Sequence, residues 1–103
     1  MWLILMLTQW YPLNKTNTMA EKFLEALKTP LPPYIKKWHT FSVAEGDKYK
    51  VYNLIMVEKG RGDDAQIDIA RMLTPFSEVE GYSMKTEVVL GARDSFKILG
   101  RDL

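Results

Sequence analysis

Trp2-Leu3-Ile4-Leu5-Met6-Leu7-Thr8-Gln9-Trp10 and Tyr49-Lys50-Val51-Tyr52-Asn53-Leu54-Ile55-Met56-Val57 are two runs that, read as strands, are apolar on both faces. A strand sends successive side chains to opposite faces, so a half-exposed strand alternates apolar and polar residues. In the first run Leu3, Leu5 and Leu7 fill one face, and Trp2, Ile4, Met6 and Trp10 fill the other. In the second, Val51, Ile55 and Val57 oppose Tyr52, Leu54 and Met56. Both strands therefore need cover above and below, and two short helices can supply only one side.

Working outward, Tyr11-Pro12 ends the first strand, because proline cannot donate to a ladder. Thr18-Met19-Ala20-Glu21 has the form of a capping box, and Met19, Ala20, Phe23, Leu24 and Leu27 follow at helical spacing. That predicts a helix running to about Lys28, stopped by Thr29-Pro30-Leu31-Pro32-Pro33, with one further helical turn at Tyr34–Lys37. Trp38–Glu45 alternates, with His39, Phe41 and Val43 against Trp38, Thr40 and Ser42. Glu45-Gly46-Asp47-Lys48 is a tight turn in which glycine and aspartate supply the unusual dihedrals, and the run Tyr49–Glu58 completes a hairpin.

After the break Lys59-Gly60-Arg61-Gly62, Asp63 or Asp64 is expected to cap a second helix with the stripe Ile69, Met72, Leu73 and Phe76. Gly60-Arg61-Gly62 fits no phosphate-loop spacing and is acidic on its helix side, so it reads as loop and cap. Gly81 leads to a last strand in which Tyr82, Met84, Thr86, Val88 and Leu90 alternate with Ser83, Lys85 and Glu87. The expected organisation is a single domain over residues 1–103, with a core of 1–92. The tail 93–103 holds Phe96, Ile98 and Leu99 and should dock on the domain or on a partner.

Composition narrows the function classes. Fourteen Lys and Arg against thirteen Asp and Glu leave no basic footprint for nucleic acid or an anionic membrane. The lack of cysteine excludes disulfides, thiolate metal sites and a cysteine nucleophile. The apolar start Met1–Leu7 has no basic residue and no small-residue cleavage pattern, so it reads as a strand and the cytoplasm is the expected compartment. No cofactor motif is present, and none is expected to be bound.

The element order strand–helix–strand–strand–helix–strand resembles the ferredoxin-like split βαβ arrangement, an α+β sandwich with a four-stranded antiparallel sheet of order 4-1-3-2. In that order the first and third strands are central, which suits the two doubly apolar runs, and the second and fourth are edges. Right-handed crossovers put both helices on one face and leave the other apolar face bare. Pairing of that helix-free face with a second copy is the expected cover, since a two-fold axis repeats one patch against itself. Gly46-Asp47-Lys48-Tyr49-Lys50-Val51-Tyr52 and Glu78-Val79-Glu80-Gly81-Tyr82 are similar to segments of the dimeric α/β-barrel superfamily, in which two such sheets close into one barrel. The resemblance covers about residues 1–92 and is close to the stress-responsive and antibiotic-monooxygenase-like branches. Members include cofactor-free monooxygenases, haem-degrading and peroxidase-like enzymes and stress-responsive proteins, among which a fold does not choose.

Several residues are candidates for a site. Asn53 interrupts an apolar strand, which is costly unless its amide is hydrogen-bonded. A two- or four-residue hairpin loop places it opposite Thr40, beside Ser42 and Trp38, either as a polar cluster lining a cavity or as a self-satisfied pair. His39, the sole histidine, is a general base or haem ligand if it faces a cavity, and a half-exposed edge residue if it does not. Trp10, Tyr11, Tyr34 and Trp38 either rim a pocket or pack, and one of Thr8 and Gln9 points inward. The chemical reading puts a site on the helix-free face near Asn53, Trp38 and Trp10, holding a small apolar or aromatic molecule, with monooxygenase-like chemistry as one form of it. The competing reading is an oligomerisation or regulatory module without a ligand. RNA recognition by this topology needs exposed basic and aromatic residues on the third strand, where Val51–Val57 is mostly aliphatic, so no nucleic-acid partner is expected.

Overall fold

A computed structural model describes residues 2–103 as an α+β domain, one four-stranded antiparallel sheet with three helices. The strands are β1 (Trp2–Pro12), β2 (Ile35–Glu45), β3 (Lys48–Glu58) and β4 (Ser83–Val89), and the helices are α1 (Thr16–Ala26), α2 (Gly62–Leu73) and α3 (Ala92–Ile98). The sheet order is β2-β3-β1-β4, which counted from the other edge is 4-1-3-2. The two doubly apolar strands are thus the central pair, in an arrangement compatible with a ferredoxin-like fold.

Register decides what each face holds. Leu5 pairs with Ile55 and with Val88, Leu7 with Asn53, and Gln9 with Val51. Residues directly opposite share a face, so Leu3, Leu5, Leu7, Gln9 and Tyr11 line up with Val57, Ile55, Asn53, Val51 and Tyr49. α1 and α2 cover this face. Leu5, Leu7, Ile55 and Val57 are 0% exposed there, packed with Ala65, Ile69 and Leu73 of α2 and with Phe76 and Val79 beyond it. Full burial of each such aliphatic side chain stabilises the fold by about 1.5–3 kcal/mol. The opposite face carries Ile4, Met6, Leu54 and Met56, which stay half-buried.

The termini of the elements differ from the sequence expectations for identifiable reasons. A 3₁₀ turn at Leu13–Lys15 winds directly into α1, and the Thr16 N–H and Oγ1 both donate to the Leu13 carbonyl. Thr18 therefore lies inside the helix, no side chain caps it, and the expected capping box does not form. Asp63 and Asp64 likewise sit in the first turn of α2, where negative charge favours the helix dipole; Arg61 occupies the cap position, and its side chain bonds Asp64 Oδ2 at 2.7 Å rather than capping the helix backbone. Gly62 lets that helix start lie on β1, because a Cβ there would collide with the Leu3 side chain.

Tyr34–Lys37 is not a helical turn. β3 runs as far as Glu58 and offers ladder partners, so β2 begins at Ile35, with Glu58 N–H donating to the Tyr34 carbonyl at 2.8 Å and a bulge between Ile35 and Lys37. At the hairpin tip only Gly46 takes positive φ, 63°, and Asp47 does not. Glycine first in a two-residue loop is the II′ pattern whose twist matches the strands.

Helical cover is uneven. Of the stripe expected to be buried in α1 only Met19 is buried, while Phe23, Leu24 and Leu27 are exposed. Beyond Trp38 the residues of β2 are exposed on both faces. The tail forms α3, which buries none of its residues and leaves Ile98 and Leu99 exposed. The slab measures 47 × 31 × 16 Å with a radius of gyration of 15.3 Å, against about 13 Å for a compact chain of this length.

Candidate functional site

Where α1 stands off the sheet, a hollow of about 510 Å³ opens between the helices and the helix-covered face. Its floor is made by Gln9, Trp38, Thr40, Ser42, Val51 and Asn53, its helical wall by Met19, Phe23, Met72 and Phe76, and its rim by Leu27, Pro30 and Leu31. None of its lining residues is charged. A second hollow of about 550 Å³ backs onto it across Ala26, Thr29, Pro30, Met72 and Phe76 and is lined by Lys22, Glu25, Asp68 and Arg71.

Asn53 organises the polar part of the floor. The two-residue hairpin loop pairs it with Thr40, and the β1 pairing brings Leu7 and Gln9 alongside. Asn53 is 3% exposed, and its Oδ1 accepts from Trp38 Nε1–H at 3.0 Å and from Thr40 Oγ1–H at 2.9 Å. Its Nδ2 donates to the Leu7 carbonyl at 3.1 Å and to Gln9 Oε1 at 2.8 Å. Gln9 Nε2 donates onward to the Tyr82 hydroxyl at 3.0 Å. All four hydrogen-bonding positions of the Asn53 amide are thus used.

Two phenols stand near this network. Burial raises the Tyr82 hydroxyl above its ordinary range, partly offset by the bond from Gln9. Burial, reinforced by the neighbouring Tyr49, raises Tyr11, which also lines the hollow. Both remain neutral donors and acceptors at physiological pH. The lining has no carboxylate, imidazole or amine to act as a base, and among the described residues no three His, Asp or Glu gather as a metal would require.

The other candidate residues fall elsewhere. Trp10 and Thr8 are even-numbered on β1 and project to the face opposite Asn53, because Asn53 pairs with Leu7. The site expected on the helix-free face near Asn53, Trp38 and Trp10 is therefore split. Asn53 and Trp38 lie under the helices, and Trp10 lies on the open face beside Lys50, whose Nζ is 5.6 Å from the Trp10 ring and 5.0 Å from that of Tyr52. His39 is exposed on β2 opposite Leu54, on the open face. Tyr34 is 7% exposed and ties the entry of β2 to α2: its one hydroxyl proton is shared between Asp68 Oδ2 and the Asp64 carbonyl 3.1 Å away, and Arg61 stacks 4.3 Å over its ring.

Gln9 is the inward member of the Thr8–Gln9 pair, and Tyr82 completes the network without a local signal. Its participation depends on Trp10 pairing with Ser83, which brings the start of β4 beside Gln9. No family model matches the chain, and no curated protein matches it.

Proposed function

We propose that this chain is a homodimer of the dimeric α/β-barrel type whose subunits each bind a neutral apolar or aromatic small molecule in the hollow between helices and sheet. The observation that carries the ligand reading is the uncharged lining of a roughly 510 Å³ space with one buried, fully hydrogen-bonded amide cluster in its floor. An apolar cavity with a few converging polar groups is the usual form of a small-molecule site. Binding is favoured over acid–base catalysis, because no lining group titrates near neutral pH. Naphthalene and 1-naphthol should raise the thermal midpoint by mass action. Ser42→Trp, which fills the floor from an exposed position, should abolish the rise, and a midpoint indifferent to both compounds overturns the reading.

Dimerisation is supported by the open face, where Trp2 is 47%, Phe41 61% and Val43 48% exposed beside half-buried Ile4, Met6, Leu54 and Met56. The 16 Å thickness matches a sheet covered on one side only. Sedimentation should give twice the 11.9 kDa chain mass at micromolar concentration. The same face supports a second reading, assembly without any ligand, which predicts the doubled mass and no ligand-induced rise in midpoint.

A further inference from the structure

The hydrogen-bond network beneath the hollow has a direction that two of its members impose. The Leu7 carbonyl can only accept, and the Trp38 indole N–H can only donate. Asn53 touches both, so its Nδ2 must face Leu7 and its Oδ1 must face Trp38. Every further proton follows. Thr40 lies 2.9 Å from that same Oδ1 and must donate to it. Gln9 meets the Asn53 Nδ2 and must present its oxygen, which turns its own amide nitrogen to Tyr82. Thr40, Asn53, Gln9 and Tyr82 thus form one run of bonds, each donating to the next, and such runs polarise one another.

The consequence for the hollow lies at Thr40, the head of the run. Its only proton is committed to Asn53, so toward the cavity it offers lone pairs, and donation to Asn53 makes those lone pairs better acceptors. Trp38 has no second donor to give. Ser42, Thr29 and Tyr11 also line the space, but their hydroxyls rotate and set no polarity, and the Gln9 amide that lines it already donates to Tyr82. The lining holds no cation to offset the charge of a buried anion.

We infer that the hollow selects its ligand by hydrogen-bond donation to Thr40: an uncharged ring system bearing a hydroxyl or N–H group fits it, and the corresponding carboxylate does not. This rests on the reading of the hollow as a ligand site. The test is calorimetric titration of the full chain with naphthalene, 1-naphthol and 1-naphthoate, repeated on Thr40→Val and Thr40→Ser. One neutral hydrogen bond corresponds to a preference of roughly threefold to tenfold for 1-naphthol over naphthalene. The carboxylate should bind at least about tenfold more weakly than 1-naphthol. Thr40→Val should bring 1-naphthol to within about twofold of naphthalene, and Thr40→Ser, which keeps the hydroxyl, should restore the preference. Equal affinities for naphthalene and 1-naphthol in the native chain overturn the inference and leave the ligand site standing. So does a preference that survives Thr40→Val, or binding of 1-naphthoate as tight as that of 1-naphthol. Failure of all three compounds to bind overturns the site and the inference together.

Discussion

Leu5 and Met6 are adjacent on β1, similar in size and hydrophobicity, and lie on opposite sides of the same sheet. Leu5 is 0% exposed between Ile55, Val88 and the helical layer, whereas Met6 is only half-buried among Leu54, Glu87 and their neighbours. The contrast extends across the sheet. One face is sealed by α2 near Leu5 and held off by α1 near Asn53, which leaves a hollow; the other has no helical layer. One face of β1 and β3 forms a core within the chain, and the other leaves a half-buried apolar patch without helical cover.

The most severe way to break the comparison is to charge the open face. Leu54→Lys should reduce the sedimentation mass from dimer to monomer at micromolar concentration while the circular dichroism of the fold persists, since a lysine buried without a partner opposes association strongly. A native chain that sediments as a monomer refutes the proposed role of that face.

Next in size are truncations of the two neighbours. Leu5→Ala should lower the unfolding free energy by about 3 kcal/mol, as burial is lost and a cavity forms. Met6→Ala should cost about 1 kcal/mol or less in a monomeric background such as Leu54→Lys. Equal costs there would mean that both faces are sealed within one chain. Asn53→Leu should follow at about 2 kcal/mol, because it strands the Leu7 carbonyl, Trp38 N–H and Gln9 amide. Urea midpoints report all three.

The smallest effect is a pH dependence. In the folded chain burial holds Tyr82 above its ordinary 10.0, so the native state keeps a proton that the unfolded chain releases. Its contribution to stability is fully present below about pH 10 and is lost as pH rises through the raised folded value. Tyr82→Phe should flatten the fall in urea midpoint above about pH 10, leaving the parts due to Tyr11 and Lys50.

The candidate site was only partly legible in the residues. Thr40 opposite Asn53 follows from a two-residue loop, because a hairpin of known loop length has a known register. Gln9 depends instead on how β1 lies beside β3, two strands separated by a helix and a hairpin with no turn to set their offset. A slip of one residue would have placed Thr8 beside Asn53 and turned Trp10 inward. The hollow itself comes from α1 burying only Met19 of an apolar stripe that its periodicity marks for full cover.

By itself the sequence determined that β1 and β3 are central, since strands apolar at both parities must have neighbours and cover, and this holds whatever the rest of the chain does. It also determined the hairpin, while its polar pair follows only once the loop is known to have two residues. The tertiary structure alone decided which face the helices take, and so which side of Asn53 becomes the floor of a hollow. That choice rests on the long-range pairing of Leu7 with Asn53 and on Gly62 settling against Leu3. Contacts between residues tens of positions apart in the chain have no local pattern, and they are settled only when the two faces compete for the same helices.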